Sequence, residues 1–175
     1  FMAKWNETLP GCSGHVHQSL WNASGDTNLF FESNDPHKMS ALFKSYLAGQ
    51  LHCLPEILPF FAPTVNSYKR LVDGYWAPTK ATWGIDNRTT AFRVISGSSK
   101  STRLEARITG SDINPYIALA ALIAAGLYGI EKNLSLESKP IIGSAYLDQT
   151  VPRLPRNLQE STQKLSQSKL ARELL

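Results

Sequence analysis

The chain has 175 residues and a formal net charge of +4 at pH 7, with 42 % hydrophobic and 18 % charged residues. That length can enclose a core, and the balance of apolar and charged residues excludes a disordered or low-complexity chain. The mild positive charge is scattered, which permits anionic ligands but argues against nucleic acid; Cys12 and Cys53 lack the spacing of a disulfide framework or a metal site and suit a reducing compartment.

Residues 1–5 carry no helix start or signal pattern, so the chain reads as part of something longer. Gly11-Cys12-Ser13-Gly14 reads as a flexible turn that delivers residues 15–20 as an alternating strand. His15 and His17 then share one side, where they suit two ligands of one metal or two contacts to one polyanion. Two half-exposed strand histidines bonded to their neighbours would give the same pattern. Residues 22–34, rich in Asn, Ser, Gly and Asp, predict a loop or hairpin. Asp35-Pro36 predicts a helix start, with Asp35 as the cap. Met39, Leu42, Phe43, Tyr46, Leu47 and Leu54 follow at helical spacing as a core-facing stripe, and Pro55 is expected to end the helix.

From Asn66 to Arg93 no clean period survives. Residues 68–78 mix aromatics, charges and turn formers, and residues 82–88 continue in that style, as binding loops on a rigid scaffold do. Residues 89–95 read as a strand, and residues 96–102 as a polar loop without the phosphate-loop pattern. Arg103-Leu104-Glu105-Ala106-Arg107 reads as a further strand, with its three charged side chains on one face and Leu104 and Ala106 on the other. Burying such charges is costly unless opposite charges meet them. The strand is therefore either exposed, with an ion pair across its face, or part of a site that holds an anion and a cation together. Pairing with the strand at 89–95 would bring Arg93 to these charges. Asn114-Pro115 predicts a helix start, and residues 117–127 are apolar on every side, which predicts a buried helix. A membrane span is disfavoured by Asn114, Pro115, the many alanines and the lack of an aromatic belt. Residues 131–152 read as a loop region, and Pro155 as the start of a final helix with Leu158, Leu165 and Leu170 inward.

Four stretches together resemble the catalytic domain of glutamine synthetase and its relatives, the ATP-dependent glutamate–amine ligases. They are Ser13-Gly14-His15-Val16-His17-Gln18-Ser19-Leu20; Asn66-Ser67-Tyr68-Lys69-Arg70-Leu71-Val72; Asp86-Asn87-Arg88-Thr89 with Arg93; and Arg103-Leu104-Glu105-Ala106-Arg107 followed by Asn114-Pro115-Tyr116. The resemblance covers nearly the whole chain and lies closer to the γ-glutamyl–amine and polyamine ligases than to ammonia-using members. It implies an α+β fold in which the strands around 15–20, 89–94 and 103–108 form a curved antiparallel sheet lining the active site, with helices packed outside. Residues 1–175 would then be part of one catalytic domain. Its first part, with further metal-binding glutamates, and a small N-terminal β domain would lie outside this chain.

The same resemblance implies roles. Glu105 and His15 become ligands of two divalent metals, Mg²⁺ or Mn²⁺, and His17 faces the phosphates of ATP. Arg88 and Arg93 neutralise the transferring phosphate as catalytic, nucleotide-side groups. Arg70 and Arg107 hold glutamate and its acyl phosphate, and Arg103 is a further nucleotide-side arginine. The implied reaction forms γ-glutamyl phosphate from ATP and glutamate, and ammonia or an organic amine then displaces phosphate. Such chemistry is mostly electrostatic and positional. Glu105→Ala would abolish it and leave the fold largely intact. The implied parent is a cytoplasmic homo-oligomer of stacked rings, without nucleic-acid or membrane partners. Two positions depart from the family pattern. Trp76 stands where ammonia-using members carry a glutamate, and can offer an amine an apolar wall but no base. Pro10 stands where an asparagine would grip glutamate, while Gly11 keeps the close backbone approach. These departures leave open a catalytically inactive relative with a structural or assembly role.

Overall fold

Alternating charged and apolar residues build the sheet on which the site stands. A computed structural model describes residues 1–174. Its strands are β1 (Val16–Gln18), β2 (Trp83–Ile85), β3 (Phe92–Ile95) and β4 (Arg103–Ala106), joined in one sheet in the order β1-β4-β3-β2. The β1–β4 and β4–β3 pairs are antiparallel, as expected from the family resemblance. The expected all-antiparallel sheet is corrected at its edge. β2, read from sequence as irregular loop, pairs parallel to β3, which makes the sheet mixed. Phe92, Val94, Leu104 and Ala106 point into the core and are at most 1 % exposed, while Arg93 and Glu105 occupy the opposite face.

Helices cover the apolar face. Ser40 caps α1 (Ala41–Ile57) by accepting a hydrogen bond from the Phe43 amide at 3.0 Å. The helix therefore starts later than Asp35-Pro36 suggested. The Asp35 carboxylate instead accepts from the amides of His37 and Met39, closing a turn in which Lys38 takes a φ of +58°. Pro55 does not end α1 but lies in its last turn, where its missing N–H removes one helical hydrogen bond. A short 3₁₀ turn at Leu58–Phe60 follows. α2 (Val65–Arg70) is closed at its start by a reciprocal pair of bonds between Thr64 and Ser67. Asn114 caps α3 (Pro115–Glu131), with Pro115 in the first turn, as its sequence indicates. The final helical region begins at the cap Asn157 rather than Pro155, and breaks at Ser168 into α4 (Leu158–Gln167) and α5 (Lys169–Leu174).

Helix α3 is apolar all round but not buried all round. Ala118, Ala121, Leu122, Ala125 and Gly129 face inward, whereas Tyr116, Ile117, Leu119, Ile123 and Leu127 are exposed in this chain. The inward side meets α1 at backbone distance. A Cβ built on Gly129 would lie 2.1 Å from the Ser45 carbonyl oxygen, and one on Gly49 would lie 2.2 Å from that of Ala125. Phe30 stacks on Phe43 at 4.2 Å and extends the core toward β1. Among the described residues no helix is long and apolar enough to cross a membrane.

Two outcomes follow from this packing. Gly129→Ala would gain about 1 kcal/mol of helix propensity but force two backbones apart, at a cost of about 1–3 kcal/mol. The urea midpoint should therefore fall, and a rise would contradict the close crossing. Cys53 is fully buried, and burial, helped by Glu56 and Glu173, pushes its thiol up to about 12, whereas Cys12 is exposed. Alkylation at mildly alkaline pH followed by mass spectrometry should label Cys12 in the native protein and Cys53 only after denaturation.

Candidate functional site

Register places the charged side chains in a row. Glu105 on β4 lies opposite His17 on one neighbour and Arg93 on the other. One Glu105 oxygen takes His15 Nδ1 and Arg107 Nη1, each at 3.0 Å, and the second takes Arg93 Nη1 at 3.1 Å. His17 Nε2 stands 3.8 Å from the first oxygen. Arg103 Nε donates to His17 Nδ1 at 3.1 Å and Arg103 Nη1 to the Ser101 carbonyl. The structure thus brings together His15, His17, Arg93, Arg103, Glu105 and Arg107. The strand charges pair with one another while Glu105 and Arg107 are buried, being only 3 % and 4 % exposed.

Electrostatics follow from this crowding. Burial alone would push the Glu105 carboxyl up, but His15, Arg107 and Arg93 outweigh it and hold the group down at about 2. For His17, burial, together with Arg103, His15 and Arg93, outweighs the pull of Glu105 and keeps the imidazole below its usual value. His17 thereby presents a neutral ring near neutral pH.

Arg70, expected with Arg107 at a substrate, lies apart from this row. It is 2 % exposed, donates to Ser13 Oγ at 2.9 Å, and donates to the Ile108 carbonyl. Burial is the main cause that brings its guanidinium down to about 10. Gly11 is also tightly enclosed by the chain itself: a Cβ there would lie 2.3 Å from the Ala3 carbonyl oxygen and 2.8 Å from Arg70 Cγ.

Trp76 and Arg88 belong to a cleft of about 600 Å³ beside the charged row, walled by Ile85, Ile141 and Ile142. Asp86, on its rim, links the two regions through Arg93 Nη2 at 2.9 Å. The cleft is a built feature. The Asn87 side chain donates to the carbonyls of Ile141 and Gly143, and Thr89 Oγ1 accepts from the Ala145 amide. Trp76 sits at φ +62°, a costly backbone region for a bulky side chain, and its indole is exposed. The loop that holds it is tied at Asp73, which accepts from Thr79 Oγ1 and from Arg153, each at 2.6 Å. Asp73, the one carboxylate of that loop, is thereby engaged. Asp86 and Asn87 lie within a motif of the sequence that gives them no individual role, since a single turn residue has no periodic signature.

The donor set fits a divalent cation in part. With His15 Nδ1 on Glu105, its Nε2 is buried and has no hydrogen-bond partner, the arrangement of a carboxylate-oriented metal ligand. Among the described residues no three His, Cys, Asp or Glu side chains are grouped to hold a metal.

Comparison with known proteins places these features in context. The family model described as glutamine synthetase, catalytic domain, matches residues 1–175. Type-1 glutamine synthetase 2 of Dictyostelium discoideum is 60 % identical across 100 % of this chain and 34 % of its own length. A γ-glutamylethanolamide synthetase of Streptomyces coelicolor is 45 % identical over 98 % of this chain and 36 % of its own length. A glutamate–isopropylamine ligase from a Pseudomonas species is 39 % identical over 98 % of this chain and 38 % of its own. A solved GmaS complex with ADP superposes with a TM-score of 0.87 at 33 % identity, covering 99 % of this chain and 41 % of that one. The chain thus spans 34–41 % of the length of these proteins.

The carboxylate at the centre of the row generates a pH prediction. Its folded value lies below the ordinary 4.5, so its contribution to stability is complete above 4.5 and is lost as pH falls toward about 2. The size is about 3 kcal/mol. Glu105→Gln in metal-free protein should lower the urea midpoint at neutral pH, since Arg93 and Arg107 lose their partner, and should flatten the acid limb. Identical acid limbs for both proteins would show that Glu105 does not carry the effect.

Proposed function

The chain belongs to the glutamine synthetase family, and from that premise we propose that it is part of the catalytic domain of an ATP-dependent ligase. The product is a γ-glutamyl amide of an organic amine, formed through γ-glutamyl phosphate. The observation that carries this reading is the Glu105 row, which gathers three arginines and two histidines around one carboxylate. In the first step the glutamate γ-carboxylate attacks the terminal phosphorus of ATP and ADP leaves. In the second the amine nitrogen attacks the acyl carbon, phosphate leaves, and the nitrogen loses its proton to solvent.

Each residue has a task in this scheme. Arg88 is exposed on the cleft, where its guanidinium can donate to phosphoryl oxygens. Arg93 and Arg107, both paired with Glu105, are assigned to the transferring phosphate and the acyl phosphate on the family resemblance. Neutral His17 and Arg103 face the nucleotide. Arg70, bonded to Ser13 and Ile108, supports the glutamate side and the turn that carries Gly11. Two Mg²⁺ or Mn²⁺ ions would be held, one by His15 through Nε2 and the other by Glu105, their further ligands coming from the rest of the protein, and when bound would supply charge compensation at the phosphoryl group.

Trp76 supports an organic amine over ammonium. It presents an apolar face where ammonia-using members carry a glutamate, and Asp73 is occupied by Thr79 and Arg153, so the preference rests on burial of an alkyl chain. An alkyl chain covering about 40 Å² of the apolar wall would gain about 1 kcal/mol, roughly fivefold in affinity. Two of the relatives are named for organic amines, whereas the 60 % identical one is named a glutamine synthetase. We extend the reading to a cytoplasmic parent that assembles as homo-oligomeric stacked rings, on family resemblance. The alternative of an inactive assembly protein draws on Trp76 and Pro10 alone.

The deciding measurement is product formation by the full-length protein with ATP, glutamate, Mg²⁺ or Mn²⁺, and either ammonium or a panel of alkyl amines and diamines. At least a tenfold higher kcat/KM for an alkyl amine than for ammonium is expected, and Trp76→Glu should narrow the gap. Preference for ammonium would remove the organic-amine assignment. No turnover with any amine would favour the inactive relative.

A further inference from the structure

Within the ligase reading, on which this inference rests, we infer that Asp86 receives the ammonium group of the incoming organic amine, with the alkyl chain laid along Trp76, Ile141 and Ile142. Among the described residues Asp86 is the one carboxylate lining the cleft, and it stands where the apolar wall meets the charged row. Its Oδ1 is bonded to Arg93 Nη2 at 2.9 Å, while the side chain as a whole is 58 % exposed. An oxygen therefore remains open to a cation. The backbone is shaped to present it: β2 ends at Ile85, the Asp86 amide donates to the Val94 carbonyl at 2.9 Å, and the residue takes φ +48°. The left-handed region suits Asp better than most residues.

The surroundings match an alkylammonium ion rather than ammonium alone. Ile85, Ile141, Ile142 and Trp76 line the same cleft as the carboxylate and would cover the carbon chain, with the indole able to add cation–π attraction. Asn87 holds the isoleucine segment in place from the residue adjoining Asp86, so wall and charge are fixed by one turn. Arg88, on the same cleft, is reserved for an anion. A cation on Asp86 and an acyl phosphate on Arg88 and Arg93 would stand side by side; the ammonium first gives one proton to Asp86 or solvent, and the neutral amine so formed attacks the acyl carbon.

The test is a fluorescence titration of the full-length protein with n-butylammonium chloride at constant ionic strength, with and without ADP and glutamate. Native protein, Asp86→Asn and Trp76→Phe are compared, n-butanol serves as the uncharged isostere, and melting temperature reports folding. Butylammonium should quench tryptophan saturably in the native protein, and the quench should vanish in Trp76→Phe. Affinity should fall at least tenfold in Asp86→Asn, and butanol should bind native protein at least tenfold more weakly than butylammonium. Equal affinity of native and Asp86→Asn proteins, equal affinity for the two ligands, or no saturable binding under either condition overturns the assignment. The butanol comparison needs no variant, so it decides the matter even if Asp86→Asn fails to fold. Failure of the ligase reading has a separate signature: butylammonium binds as expected, yet no γ-glutamyl amide forms with ATP and glutamate.

Discussion

The structure depends on one buried carboxylate shared among partners from several parts of the chain. Glu105 sits on the central strand β4, with His15 reaching it from the approach to β1, Arg93 from β3, and Arg107 from just beyond β4. Desolvation opposes this arrangement for every member. It is tolerable only because each charge meets an opposite one at hydrogen-bond distance. Register enforces the meeting: Glu105 faces His17 and Arg93 directly, and a slip by one residue would turn the whole set onto the face occupied by Phe92, Val94, Leu104 and Ala106. The hydrophobic face and the charged face therefore specify each other.

Beside this polar row lies a cleft of different character, and the join between them is chemically informative. Arg93 spans it, with one guanidinium nitrogen on Glu105 and the next on Asp86. Asn87, Arg88 and Thr89 follow within the same turn and all line the cleft, and Asn87 and Thr89 are bonded to the segment that forms the far wall. A short stretch between β2 and β3 thus organises both a place for negative charge and an apolar surface next to it.

Much of this was legible in sequence, for reasons that can be named. The strict alternation of Arg103 to Arg107 placed β4 and its two faces. His-Val-His marked β1, and Asn114-Pro115 marked the start of α3. What was hidden depended on non-local or side-chain choices. Trp83-Gly84-Ile85 is too short to carry a period, and becomes β2 only by parallel pairing with β3. Asp35-Pro36 carries a real cap signal, but the carboxylate is spent on a turn and Ser40 caps the helix instead. Arg70 matched a motif, yet nothing local told that Ser13 and the Ile108 carbonyl would take its donors. The isolation of Asp86 on a cleft rim arises only once residues 141 and 142 arrive from the other end of the chain.

The glycine contact between α1 and α3 has a mechanical consequence. Where Gly49 and Gly129 meet, main chain lies against main chain with no side chain between them to change rotamer and absorb a shift. Sliding one helix along the other would drive carbonyl oxygens into Cα atoms, so the pair behaves as a single stiff post beneath the sheet. The turn bearing Trp76 and the segment at residues 138–151 are held differently, by side-chain ties at Asp73, Asn87 and Lys80 and by the Ile141 amide on the Trp83 carbonyl. Displacing either segment would mean exchanging hydrogen bonds, whereas displacing the helix pair would mean parting two backbones.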